Sequence, residues 1–171
     1  MTYSAQSGTA PAGDIARLLA AQPLLRGLPQ AFLERSSTFT SQIEAFAGDI
    51  IFEEGAPADT LYILLDGKVA LSTHAPGKGH LLVQTLGPGE LLGLSWLFAP
   101  YRWQFRARAV EAVRALAVQG AALRAALDSD PALGYEVLKR VTPVVLQRLM
   151  QTRLRLLDLY SGSTADGSPA A

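Results

Sequence analysis

The sequence predicts an α+β domain: an antiparallel β-roll of jelly-roll type, with short N-terminal helices before it and one long C-terminal helix after it. Three observations carry that expectation. Between about Ser41 and Gln119, short apolar segments rich in branched residues alternate with glycine or proline at 48, 55, 67, 77, 87, 88 and 89. Before Glu34 and after Ala121, apolar residues recur at helical spacing instead. The chain has 171 residues, 49% of them hydrophobic, which is enough for one substantial core.

Taken in order, residues 1–13 are small and polar and are expected to form a disordered tail. Asp14 is the expected N-cap of a first helix, since Ile15, Leu18 and Leu19 follow at helical spacing. Pro23, Gly27 and Pro29 then break the pattern, and Ala31-Phe32-Leu33 opens a second short helix. The expected strands are IIFEEG (50–55), LYILLDGKVALS (61–72), HLLVQTLG (80–87), RARAV (106–110) and VRALAV (113–118). Asp66-Gly67 is a two-residue hairpin signal between two strong strands. The roll with its helical lead-in is placed at 14–120.

The helical segment is placed at 121–160, followed by a second expected disordered tail at 161–171. Asp130-Pro131 is expected to cap a helix running to about Tyr160, kinked near Pro143. One of its stripes is Leu138, Thr142, Val145, Leu149, Thr152, Leu156 and Leu159. A second is Val137, Val141, Val144, Leu146, Met150, Leu154 and Leu157. Two apolar stripes must bury two faces. One fits against the roll; the other most simply meets the same helix of a second copy, which makes residues 131–160 the expected homodimer contact.

Composition removes several classes of function. Fifteen basic residues balance fifteen acidic ones, so bulk charge predicts no nucleic-acid partner. The balance is uneven along the chain: residues 1–101 hold five basic and nine acidic groups, residues 102–160 ten basic and five acidic. Nine of those ten bases are arginine, the side chain suited to bidentate anion recognition. There is no cysteine, which excludes disulfides, thiolate metal sites and a cysteine nucleophile. No apolar run approaches the roughly 20 residues that span a bilayer, and no secretory signal opens the chain, so a cytoplasmic protein without a membrane partner is expected.

No catalytic constellation emerges, and no enzyme and no cofactor are expected. A metal-binding cupin needs two histidines one residue apart; here His74 and His80 flank a glycine-rich turn and are expected to be exposed loop residues. Gly93-Leu94-Ser95-Trp96-Leu97 is one glycine short of a nucleophile elbow, and no histidine follows Ser95. There is no phosphate loop and no dinucleotide fingerprint. Glu53 and Glu54 are neighbours on an expected strand and so face opposite ways.

The informative stretch is LGPGELLGLSWLFAPYRWQFRARAV, residues 86–110. A Gly-Pro-Gly turn is expected to lead into a short helical segment beginning at Glu90, whose free amides would receive an anion. Glu90 supplies a carboxylate for a sugar hydroxyl, and Arg102 a guanidinium for a phosphate. Together these describe a pocket for a phosphorylated sugar.

The order of short helices, IFEEGAPADTLYILLDGKVALS, then Gly89-Glu90-Leu91, then a long helix resembles the cyclic nucleotide-binding domain of the catabolite-activator and protein-kinase regulatory type, over roughly residues 15–160. The resemblance implies a ligand such as cyclic AMP or cyclic GMP. It would be held by Gly89, Glu90 and the amides of Leu91 and Leu92, with an arginine on the phosphate. The run Arg148-Leu149-Met150-Gln151-Thr152 is similar to the segment in which a threonine meets the purine, so Thr152 joins the expected site. The sequence departs from the family pattern at the arginine. With Phe105-Arg106-Ala107 in phase, Tyr101 takes the arginine's place, Arg102 that of a hydroxyl residue and Trp103 that of an alanine; a shift of one residue restores Arg102.

Two readings follow. Either Arg102 binds the phosphate with Tyr101 or Trp103 stacked on the ligand, or Trp103 and Phe105 fill the pocket. The second makes the domain a nucleotide-free dimeric interaction module that offers Trp96, Trp103 and Phe105 to a partner. No helix-turn-helix follows the long helix in this sequence, so specific DNA binding is not expected and any signal would pass to a separate, unidentified protein.

Overall fold

A computed structural model describes residues 6–8 and 11–162, with side chains from 11 to 154. After a short strand β1 (Gln6–Gly8) come α1 (Ala12–Ala21) and α2 (Gln30–Ser37). The strands β2 (Thr40–Ala45), β3 (Ile50–Phe52), β4 (Thr60–Asp66), β5 (Val69–Ala75) and β6 (Gly79–Leu86) follow. Next are β7 (Leu91–Leu92), a 3₁₀ turn at Leu94–Leu97, β8 (Arg106–Ala109), β9 (Val113–Gln119), α3 (Gly120–Ser129) and α4 (Pro131–Gly162). The strands form two antiparallel sheets, ordered β1-β2-β9-β4-β7 and β3-β8-β5-β6. This is the jelly-roll-like β-roll with flanking helices that the sequence predicts.

Two cores share one wall. In β4 and β9, alternate residues face opposite ways. Leu61, Ile63, Leu116 and Val118 pack against Ile15, Leu19, Phe32, Leu123, Leu133 and Val137 of the helices. Leu64, Val113 and Ala115 face the interior of the roll with Val69, Leu71, Leu86 and Trp103. The β4–β9 ladder therefore buries both faces and welds the helical layer to the roll.

Three local expectations are corrected. Asp14 is not an N-cap: α1 begins at Ala12, and the Pro11 carbonyl accepts the Asp14 and Ile15 amides. Asp14 sits in the first turn, where its charge suits the helix dipole, and pairs with Arg17. The helix expected at Glu90 does not start there. Leu91 and Leu92 instead form β7 on the edge of β4, and the helical turn waits until Leu94, after Gly93 turns the chain at φ +84°. Finally, Asp66-Gly67 does not close a ladder, because β4 and β5 lie in different sheets.

At Asp66-Gly67 the chain crosses between the sheets, tucked against the return crossing between β8 and β9: the Val110 amide donates to the Lys68 carbonyl at 2.8 Å. The hairpin that does form joins β5 to β6, with Ala75 opposite Gly79. Within the segment expected as the first tail, Gln6–Gly8 pairs with β2, and α1 starts at Ala12. The second expected tail lies, from residue 163 onward, outside the described residues.

The long helix is borne out. The Asp130 carboxylate accepts the Leu133 amide at 3.1 Å, capping α4 at Pro131. Pro143 lies inside the helix and offers no amide to the Lys139 carbonyl. Leu133, Val137 and Val141 are buried, whereas Leu138, Val145, Leu146, Leu149, Met150 and Leu154 are all more than 40% exposed. Leu156, Leu157 and Leu159 of the two stripes fall outside the described side chains. No helix among the described residues is long and apolar enough to cross a membrane.

Gly67 is the tightest point of the crossing. It holds φ +82°, and an added Cβ would stand 2.1 Å from the Ala112 carbonyl oxygen. Gly67→Ala is therefore expected to destabilise the fold by about 2–4 kcal/mol, from backbone strain plus the clash. Urea unfolding checks this; a loss within experimental error of zero contradicts the crossing as described.

Candidate functional site

Two cavities border α4. The distal cavity, about 510 Å³, lies between the second sheet, the segment 93–105 and the distal half of α4. Phe52, Leu71, Val83, Phe105, Val145 and Leu149 give it apolar walls. Gln84, Ser95, Arg102, Gln104, Arg148 and Thr152 supply its polar groups. The proximal recess, about 580 Å³ and more polar, is lined by Leu24, Arg26, Gly89, Glu90, Leu91, Arg140 and Gln147 among others.

Segment 101–103 runs antiparallel along the loop at 55–58, with Arg102 bridged to Pro57 and the backbone extended from Arg102 on. The Ala58 amide donates to the Tyr101 carbonyl at 2.7 Å, the Trp103 amide to the Ala56 carbonyl at 2.9 Å, and the Gly55 amide to the Trp103 carbonyl at 2.8 Å. Extended backbone alternates its side chains, so Trp103 points inward and Arg102 toward the rim. Trp103 is 4% exposed and stacks on Phe52 with ring centroids 4.0 Å apart. It lies over Gly93, where an added Cβ would stand 2.7 Å from its ring. The indole thus forms a wall, and the cavity remains open beside it.

Arg102 donates from Nη1 to the Gly55 carbonyl at 2.7 Å, is exposed, and lines the cavity. Tyr101 has φ +52°, and its ring stacks under the Arg124 guanidinium at 4.3 Å, outside the cavity lining. Trp96 is 1% exposed, so neither tryptophan presents the aromatic partner face that the sequence suggested.

The expected site residues divide between the two cavities. Arg102, Trp103 and Thr152 meet in the distal one; Gly89, Glu90 and Leu91 line the proximal recess. Leu92 is wholly buried in the roll. Strand β7 explains the split: Leu91 faces the helical core and Leu92 the roll, while Gly93, Leu94 and Ser95 come to the distal cavity in their place. The Glu90 carboxylate accepts the Gly87 amide at 2.7 Å.

A further residue, Arg148, joins the site although the sequence pattern does not single it out. Arg148 rises from α4 into the distal cavity and donates from Nη2 to the Leu91 carbonyl. Its Nε is buried without a hydrogen-bond partner. Burial pushes the guanidinium below its ordinary pKa, and the negative charge of Glu90 opposes that shift. Arginine still remains a cation at neutral pH. A charged residue flanked by Val145 and Leu149 on an otherwise apolar stripe was the available signal. Thr152, one turn further along, donates to the Arg148 carbonyl at 2.9 Å.

A family model described as the cyclic nucleotide-binding domain matches residues 43–130. A cyclic nucleotide-binding protein structure from Geobacter metallireducens is 30% identical with TM-score 0.70, covering 78% of this chain and 97% of that one. The catabolite activator protein of Thermus thermophilus is 28% identical with TM-score 0.63, covering 81% of this chain and 63% of that one. Among curated proteins, a CRP-like cAMP-activated global transcriptional regulator of Mycobacterium tuberculosis is 28% identical over 142 residues. That match covers 83% of this chain but 62% of the regulator, so the chain spans less than two thirds of that relative's length.

Because Trp103 anchors the cavity wall, Trp103→Ala is expected to cost about 3–5 kcal/mol, with Trp103→Phe costing clearly less. Chemical denaturation of both variants checks this. Equal stability of wild type and Trp103→Ala would place the indole outside the core.

Proposed function

This chain belongs to the cyclic nucleotide-binding domain family, and from that premise we propose that its distal cavity binds a cyclic nucleotide, cyclic AMP or cyclic GMP, as a non-enzymatic regulatory signal. The observation that carries this reading is Arg148. A half-buried cation whose Nε–H is buried and unmet is costly, and an anion arriving beside it relieves that cost. The cavity has the size of a small-molecule site, which typically spans about 300–1,000 Å³.

In this arrangement the cyclic phosphate sits between Arg148 and Arg102, and the base lies toward Thr152 and the apolar wall of Val83 and Leu149. Glu90 acts through its field on Arg148 rather than by touching the ribose, since its carboxylate is held by the Gly87 amide. The regulatory character of the relatives supports a signalling role here, carried by α4 to a separate protein partner in the cytoplasm. The exposed stripe Val145, Leu146, Leu149, Met150 and Leu154 supports a homodimer through the same helix.

A second reading has a specific observation in its favour. With Trp103 over Gly93 and the Glu90 carboxylate lining the other cavity, the domain would act as a nucleotide-free dimeric interaction module.

Thermal unfolding separates the two. Ligand at about 100 times its dissociation constant adds roughly 2.7 kcal/mol, a midpoint rise of about 5–10 °C for a domain of this size. The rise is expected with cyclic AMP or cyclic GMP, to vanish in Arg148→Met and to shrink in Arg102→Ala. No rise with either nucleotide selects the second reading; a rise untouched by both substitutions refutes the site. For the dimer, sedimentation should show Leu149→Glu shifting the protein to the monomer, and an unchanged sedimentation coefficient would count against α4 as the contact.

A further inference from the structure

His74 and His80 are not loop residues. They sit on β5 and β6 and face one another directly across the ladder, with Thr73 opposite Leu81 on one side and Ala75 opposite Gly79 on the other. Directly opposed residues of an antiparallel pair project their side chains to the same face, with Cβ atoms about 4.5–5.5 Å apart. The two imidazoles meet edge to face, with ring centroids 5.7 Å apart.

That spacing has a chemical meaning. A metal lies about 2.0–2.1 Å from a coordinating imidazole nitrogen, hence about 3 Å from the ring centre. Two rings sharing one ion therefore stand about 5–6 Å apart at ordinary coordination angles. Imidazole nitrogens suit zinc, copper and nickel.

The surroundings hold the pair in register. The Glu54 carboxylate accepts the His74 amide at 2.9 Å and the Thr73 hydroxyl at 3.1 Å, pinning β5 from the neighbouring loop. Among the described residues no cluster of three or more metal-capable side chains occurs, so an ion here would keep open coordination positions for water.

We propose that His74 and His80 form a two-histidine site for a divalent transition metal, a clamp across the β5–β6 hairpin separate from the nucleotide cavity. The clamp closes the ladder that carries Val83 and Gln84 to the cavity wall, where Gln84 donates to Gln151 of α4 at 3.3 Å. Metal bound at the hairpin thus stiffens one side of the cavity without entering it.

The test is calorimetric titration of tag-free protein with Ni(II) alone, alongside His74→Ala and His80→Ala. Wild type is expected to bind one Ni(II) per chain, and each single substitution to weaken binding by at least an order of magnitude. Both histidines are exposed, and an unchanged thermal midpoint for the variants without metal confirms that they fold. Ni(II) bound equally well by the variants, or no saturable binding by wild type, overturns the proposal. The readout requires no cyclic nucleotide, so it stands or falls apart from the nucleotide site.

Discussion

The structure depends on the β4–β9 ladder. Among the described residues it is the longest pair of strands buried on both faces, and each face belongs to a different core. A strand exposed on one side tolerates polar residues at every second position; these two cannot. Their sequences, LYILLD and VRALAV, are accordingly almost continuously apolar. Larger side chains, Leu116 and Val118, meet the helices, and smaller ones, Ala115 and Ala117, face the roll. Because the ladder is fixed from both sides, everything hung on its edges inherits a position. β7, next to β4, sets where the chain enters the 93–105 segment, and so where the distal cavity opens.

The helical layer adds the second wall. Three polar ties bring α4 down onto the rest of the chain. Arg140 donates to the carbonyls of Leu24 and Arg26, Arg148 to that of Leu91, and Gln84 to the Gln151 side chain. Each anchors a different part of the helix to a different element: the lead-in turn, the edge strand β7, and the β5–β6 hairpin. The cavity lies between the last two. One of its two cations, Arg148, therefore comes from the helix and its apolar lining mostly from the roll, so occupancy and helix position are physically linked.

Much of this was legible in the sequence, and the exceptions share a cause. Strand and helix segments follow from local periodicity, and the Asp130-Pro131 start of α4 from a capping pattern that needs no distant partner. Asp66-Gly67 read as a hairpin because the turn chemistry is local, whereas the sheet each strand joins is decided by burial against distant residues. Glu90 read as a helix start for the same reason. The residues after it, Leu91 and Leu92, are claimed by two cores on opposite sides, and only an extended backbone serves both. Once those two are strand, the carboxylate before them falls on the side of the proximal recess. His74 and His80 looked like loop residues because the glycine-rich turn between them appeared longer than the three residues Pro76-Gly77-Lys78 that close the hairpin. Arg148 was hidden by its neighbours, whose apolar spacing drew attention to the stripe and away from the charge within it.

The position of Pro143 gives α4 a mechanical character. The proline lies between the Arg140 and Arg148 anchors, at the one place where the ladder of helical hydrogen bonds lacks a rung. Beyond it the helix continues to Gly162, a lever arm of roughly 28 Å at about 1.5 Å per residue. A tilt of about 10° at the proline sweeps the far end through about 5 Å, the length of a helical turn. A tilt that moves Arg148, five residues past the proline and in the cavity wall, by about 1.3 Å is thus magnified about fourfold at the tip.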